Sequence, residues 1–225
     1  MKRVTLFLAI FFAVGFTPAP ADIINIPGDY PTIQEGIDAA NEYDTVLVKP
    51  GFYEENIQID VLGLVLASLF LTSGDTSYIS STIIDGNSAG SVIRSLACYD
   101  TTAAIIGFTI QNGYNEVGGG ILCVASNPRI TNNIITQNTA IDNGGGIYCF
   151  FRANPIIRNN IIIGNVVQNR DWNFGGGIYC ENSNPEITDN YIIENEACWG
   201  GGIAAVEYSS PTISNNIIAR NIADP

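Results

Sequence analysis

Two tryptophans, Trp172 and Trp199, fall about one repeat apart, and each sits in a segment that ends at a glycine triplet. The first segment also carries Arg170, Asp171 and Phe174, and the second carries Glu196. Four further side chains, Tyr148, Phe150, Tyr179 and Glu181, lie just beyond the triplets. Aromatic faces beside carboxylates suit sugar rings, which offer apolar C–H faces and hydroxyl edges. Tyr148, Phe150, Trp172, Phe174, Tyr179 and Trp199 are therefore the candidate carbohydrate-binding residues; aromatics packed over the stack to shield strand edges and glycines are the simpler reading of the same set. Asp171 and Glu181 are the weaker catalytic candidates, since two carboxylates flanking a glycosidic bond can cleave it. Spacing singles out no such pair. Glu116, Asp142, Asp171 and Glu196 occupy comparable places before successive triplets and form the candidate calcium ligands, because calcium takes oxygen donors. A solvated acidic ridge is the simpler reading of the same four. The glycine triplets are not phosphate cradles, since no helix pattern follows them.

These residues hang on a repeat. Glycine triplets begin at Gly118, Gly144, Gly175 and Gly200, about every 26 residues. Prolines follow at Pro128, Pro155, Pro185 and Pro211, and closing asparagines at Asn138, Asn165, Asn195 and Asn221, with Asn112 read as the start of that series. A fixed period of this size means stacked supersecondary units. The strand after each triplet alternates, with Ile121, Ile147, Ile178 and Ile203 inward and Leu122, Tyr148, Tyr179 and Ala204 outward. Cys123, Cys149 and Cys180 share one inward register, with Ala205 in the fourth repeat. Parallel Cβ vectors fit a disulfide torsion badly, so the column reads as buried thiols. Asn133, Asn160, Asn190 and Asn216 share another register, with Gly107 in the coil before. Gly and Asn tolerate positive φ best, so this register is expected to be a left-handed corner with a stacked amide ladder.

At the N-terminus, Lys2 and Arg3 precede an apolar run over residues 5–16 and an Ala19-Pro20-Ala21 site. This is the pattern of a cleaved export signal spanning residues 1–21. Loss of Lys2 and Arg3 takes the formal charge from −13 to −15. Such acidity excludes nucleic acid, whose phosphates need clustered Lys and Arg. No later stretch is long enough for a membrane span. Residues 22–53 open with a strand. A short helix follows, announced by Thr32 and Glu35 as a capping box and ending near Asn41. It is placed as a cap over the open end of the stack. Residues 104–225 are the regular repeats. The chain stops at Pro225, where another triplet is due, so either further coils or a partner is expected to cover that end.

Three short strands per turn, an Asn corner and inward aliphatic rows resemble the right-handed, single-stranded parallel β-helix of the pectin-lyase-like superfamily. The segment from Gly28 through Pro31-Thr32-Ile33-Gln34-Glu35 is similar to the helix-capped opening coil of pectinesterases. The Gly-Gly-Gly-Ile and Ile-x-x-Asn phrases resemble those of polymorphic outer-membrane adhesins. The resemblance implies an all-β solenoid of about seven coils over residues 22–225. It implies a cleft floored by the strands after the glycines and walled by the loops before them. The catalytic motifs of pectinesterases and polygalacturonases are missing, histidine is absent, and the repeats hold no lysine base. The expected function is a secreted, periplasmic or cell-surface module that binds carbohydrate or another surface without catalysis. A polysaccharide lyase or glycoside hydrolase, or a structural passenger segment, is the alternative.

Overall fold

The computed structural model describes residues 21–168 and 172–224. Residues 1–20, where the export signal is expected, and Arg170, Asp171 and Pro225 lie outside the described residues. The chain winds through four parallel sheets, each built from one strand per turn, and the largest has eight strands. Three sheets were expected. The fourth is formed by Tyr114–Val117, Thr139–Asn143, Val166–Val167, Glu196–Ala197 and Ile222–Ala223, the segments read as loops before the glycines. Ala140, Val167 and Ala197 turn inward from it as a small buried cluster.

In each turn, a strand after the glycines leads to one after the proline, one after the asparagine and then the short fourth strand. The registers are in phase. Ile121, Cys123, Ile147, Cys149, Ile178 and Cys180 pair rung to rung and are fully buried. Ile130, Ile157 and Ile187 form the second inward row, and Ile135, Ile162 and Ile192 the third. Each isoleucine removed from water contributes roughly 1.5–3 kcal/mol, and only the neighbouring rung makes that burial possible. All five cysteines are free thiols.

Two amide ladders run along the axis. In the first, the Asn133 N–H and Nδ2 donate to Asn160 Oδ1, while Asn160 donates likewise to Asn190 and Asn190 to Asn216. In the second, Asn138, Asn165, Asn195 and Asn221 repeat the arrangement. The corner itself lies one residue earlier than expected. Positive φ occurs at Asn132, Asn159, Asp189 and Asn215, with Gly107, and Thr131 pairs with Ile106, so Gly107 matches Asn132. The ladder position in that coil is Phe108, whose N–H donates to Asn133 Oδ1. The second series shifts the same way. Asn112 has φ 55° and corresponds to Gln137, while Gly113 donates to Asn138.

The triplets serve contact as well as turning. Gly144 has φ +68°, and a Cβ on Gly145 would lie 2.7 Å from the carbonyl oxygens of Val166 and Gly176. Helix α1 (Ile33–Ala39) covers the first rungs with Ile33 and Ile37 buried. Thr32 Oγ1 accepts from the Glu35 N–H. The Glu55 carboxylate of the next coil accepts from the Ile33 and Gln34 N–H groups, a cap the sequence did not announce. An insertion forms helices α2 (Phe70–Ser73) and α3 (Ser77–Ser81), neither of which buries any residue fully.

Candidate functional site

The expected cleft is filled. Tyr148 and Tyr179 do project outward from the post-glycine sheet and pair across adjacent rungs, their ring centroids 5.0 Å apart. Yet they retain only 6% and 4% exposure. Phe174, from the segment expected to form the wall, lies flat on Tyr179 at 5.9 Å, and Val117, Leu122 and Phe150 close the group. Tyr148 and Tyr179 are thus corrected from an open platform to a packed satellite core. Alternation gives the face of a strand but not what lies above it.

Glu181 is tied into the same cluster. Tyr148 Oη donates to Glu181 Oε2 at 2.5 Å. Burial, with the nearby Glu181 carboxylate, pushes the Tyr148 hydroxyl far above its ordinary value, and Tyr179 moves the same way for the same causes. Both phenols stay protonated at any working pH. Glu181 is consequently engaged as an acceptor, which makes it a poor free base. The other catalytic candidate, Asp171, lies outside the described residues.

The two tryptophans stand in the open. Trp172 and Trp199 are 78% and 44% exposed and stack at 6.4 Å with 24° between their planes. Their backbones are anchored by the rungs beneath. Phe174 bridges in parallel to Asn143 and to Trp199. The Phe174 N–H donates to Asn143 Oδ1 at 2.9 Å, and the Trp199 N–H to the Asn173 carbonyl at 2.8 Å. Trp172 has φ 65°, in the left-handed region. The result is a continuous indole ridge on a fixed base.

The acids do not form one column. Val117 pairs with Asn143, which puts Glu116 and Asp142 on neighbouring rungs at similar depth. Glu196 instead pairs with Val166, in the row of Tyr114 and Thr139. Among the described residues no three thiols, imidazoles or carboxylates gather as a metal-binding group. The thiol column is sealed from the site. Burial pushes the Cys123 thiol up to about 12, and the hydrogen bond of the Cys149 thiol to Cys180, together with burial, raises Cys149.

Sequence reading missed one feature altogether, a groove of about 270 Å³ between α3 and the asparagine corners. Its walls are Thr76 and Ile79 on one side and Asn132, Ile134, Asn159 and Ile161 on the other. The corner residues signal it only once they are known to be Asn132 and Asn159, whose side chains face outward.

A family model described as a right handed beta helix region matches residues 67–223. No curated protein and no solved structure matches the chain. With four parallel sheets stacked in phase and more than half the sequence matched, the chain belongs to the right-handed β-helix family, within the pectin-lyase-like superfamily.

Proposed function

We propose that this protein is a secreted or cell-surface β-helix module that binds carbohydrate without transforming it, through the Trp172–Trp199 ridge. The observation that supports the reading is the pair of stacked, exposed indoles held on a rigid base. An exposed tryptophan forfeits the burial that normally stabilises it, and two side by side offer a flat apolar surface of the kind that sugar rings stack against. Engagement of Glu181 by Tyr148 favours binding over cleavage. The export pattern at residues 1–21 supports the location, and N-terminal sequencing of the mature chain should start at Asp22.

The test is an affinity-gel screen against plant, algal and bacterial glycans. Binding to a retained glycan should weaken at least about tenfold, ~1.4 kcal/mol, in Trp172→Ala and in Trp199→Ala, with unchanged melting. The same glycans incubated with the protein should release no fragments. Turnover lost in Glu181→Ala or Asp171→Ala would replace this reading with an enzyme. Binding that survives both tryptophan substitutions would remove the ridge from it.

A further inference from the structure

The outer face of the post-asparagine sheet carries a row in which Thr109, Ile134, Ile161, Tyr191 and Ile217 pair rung to rung. Helix α3 covers the start of this row. Thr109 is buried under it and donates through Oγ1 to the Ile79 carbonyl at 2.9 Å. Beyond the helix the row comes into the open. Ile161 is 40% exposed and Tyr191 51%. One chain thus shows the same face in two conditions, roofed by its own helix and then bare.

We propose that the bare stretch is a docking track for one amphipathic α-helix of a partner protein, laid end to end with α3. Size argues for a single helix. From Ile134 to Ile217 there are three rung steps of about 4.8 Å, or roughly 15 Å, the length of a helix of about ten residues and one helix diameter wide. That strip offers roughly 150 Å², the footprint of one helix and far below the ~800 Å² per partner of a stable protein pair, so the contact is a weak, transient one and would not hold a stable dimer of this chain. The precedent within the chain is α3, which lies on the row without any fully buried residue. The groove at its edge can take the leading apolar side chain. The Asn132 and Asn159 amides make no side-chain hydrogen bond among the described residues and border that groove. They are placed to satisfy the backbone groups that a helix end leaves open. Charge fixes the partner's outer face. The flanking charges are already paired, Arg158 with Asp189 and Arg220 with Glu194, while the chain carries a net −13. A helix with lysines or arginines on its water side is drawn in by that field.

The inference stands apart from the indole ridge and does not need a sugar. The probe is a capped peptide of about fourteen residues with leucines at i, i+3 and i+4 and Lys and Ala elsewhere. Its isomer of equal composition disperses the leucines. Fluorescence anisotropy at physiological salt should show saturable binding of the patterned peptide, at least about tenfold tighter than its isomer. Ile161→Asp and Tyr191→Asp, both at exposed positions, should each lose that advantage. Thr212→Asp on the neighbouring sheet and Trp172→Ala should not. Circular dichroism melts confirm that each variant is folded. Equal binding of the two peptides, no saturable binding, or indifference to Ile161 and Tyr191 overturns the proposal. A dimer by light scattering that Ile161→Asp dissolves assigns the face to a second copy and overturns it as well.

Discussion

Neighbouring asparagines at one corner should behave oppositely on mutation. Asn160 Oδ1 accepts from the Asn133 N–H at 3.0 Å and from Asn133 Nδ2 at 3.1 Å, and its own Nδ2 donates to the Ile130 carbonyl at 2.8 Å and to Asn190 Oδ1 at 3.0 Å. Asn160→Ala removes all four bonds inside a fully buried ladder. Asn133 Nδ2 keeps the Ile105 carbonyl, and Asn190 Oδ1 keeps the Asn160 N–H, but the Asn133 N–H loses its amide acceptor. One orphaned buried donor costs roughly 1–3 kcal/mol and each of the three further bonds about 1 kcal/mol net, so the expected loss is roughly 4–6 kcal/mol. Asn159, the residue before it, has φ 55° and makes no side-chain bond among the described residues. Asn159→Gly should stay within about 0.5 kcal/mol, since glycine enters the left-handed region freely. Asn159→Val should cost roughly 1–2 kcal/mol in backbone strain alone. Urea denaturation followed by far-UV circular dichroism measures each shift. Equal costs at the two positions, or a costlier change at Asn159, would refute the assignment of corner and ladder.

Two other consequences are as direct. Gly145→Ala sets a Cβ 2.7 Å from two backbone carbonyls and should cost about 3 kcal/mol or more. Gly164→Asn, at φ +65° with nothing within 4 Å, should be nearly neutral by the same denaturation assay. Cys123 gives a pH dependence. Its folded pKa, about 12, lies above its ordinary value of 9.0. The contribution is therefore complete below pH 9 and declines as pH rises toward 12, by roughly 1.4 kcal/mol per unit. Urea midpoints in that range should fall less steeply in Cys123→Ala, and a thiol reagent at pH 8 should leave the column unmodified until denaturant is added; an unchanged slope or rapid labelling counts against sealed thiols.

The repeat made the inward rows legible before any coordinates, because a residue that must be apolar in every coil declares itself by recurrence. The corner was harder. Asn132-Asn133, Asn159-Asn160 and Asn215-Asn216 are doublets, and either member can adopt positive φ. The third coil breaks the tie. It reads Asp189-Asn190, and a ladder that must donate and accept cannot use Asp, so the ladder is the second member and the corner, which accepts Gly107 and Asp189 alike, is the first. The fourth sheet escaped notice because its strands are short and of mixed polarity, with one small inward residue each at Ala140, Val167 and Ala197. The sequence left two readings of Tyr148 and Tyr179, an open platform or a packed cover, and could not choose between them. The choice depends on Phe174 and Val117 folding back from segments whose path no periodicity predicts.

In a solenoid every coil answers the same packing problem, so whatever recurs is explained by stacking, and function is to be sought where recurrence fails. Two departures stand out here. One is the insertion bearing α2 and α3, which adds ordered residues without burying one of them fully. Ordering them carries an entropic cost of roughly 1–2 kcal/mol per residue, and the core gains little in return. The other is the lengthened segment before Gly175, which sets Trp172 beside Trp199 in water rather than in the cluster with Phe174 and Tyr179. The insertion borders the groove on the post-asparagine sheet, and the lengthened segment carries the ridge beside the post-glycine sheet. Substituting one departure should therefore leave binding at the other intact, since what lies between them is a rigid stack whose rungs are fixed by the thiol, isoleucine and amide rows.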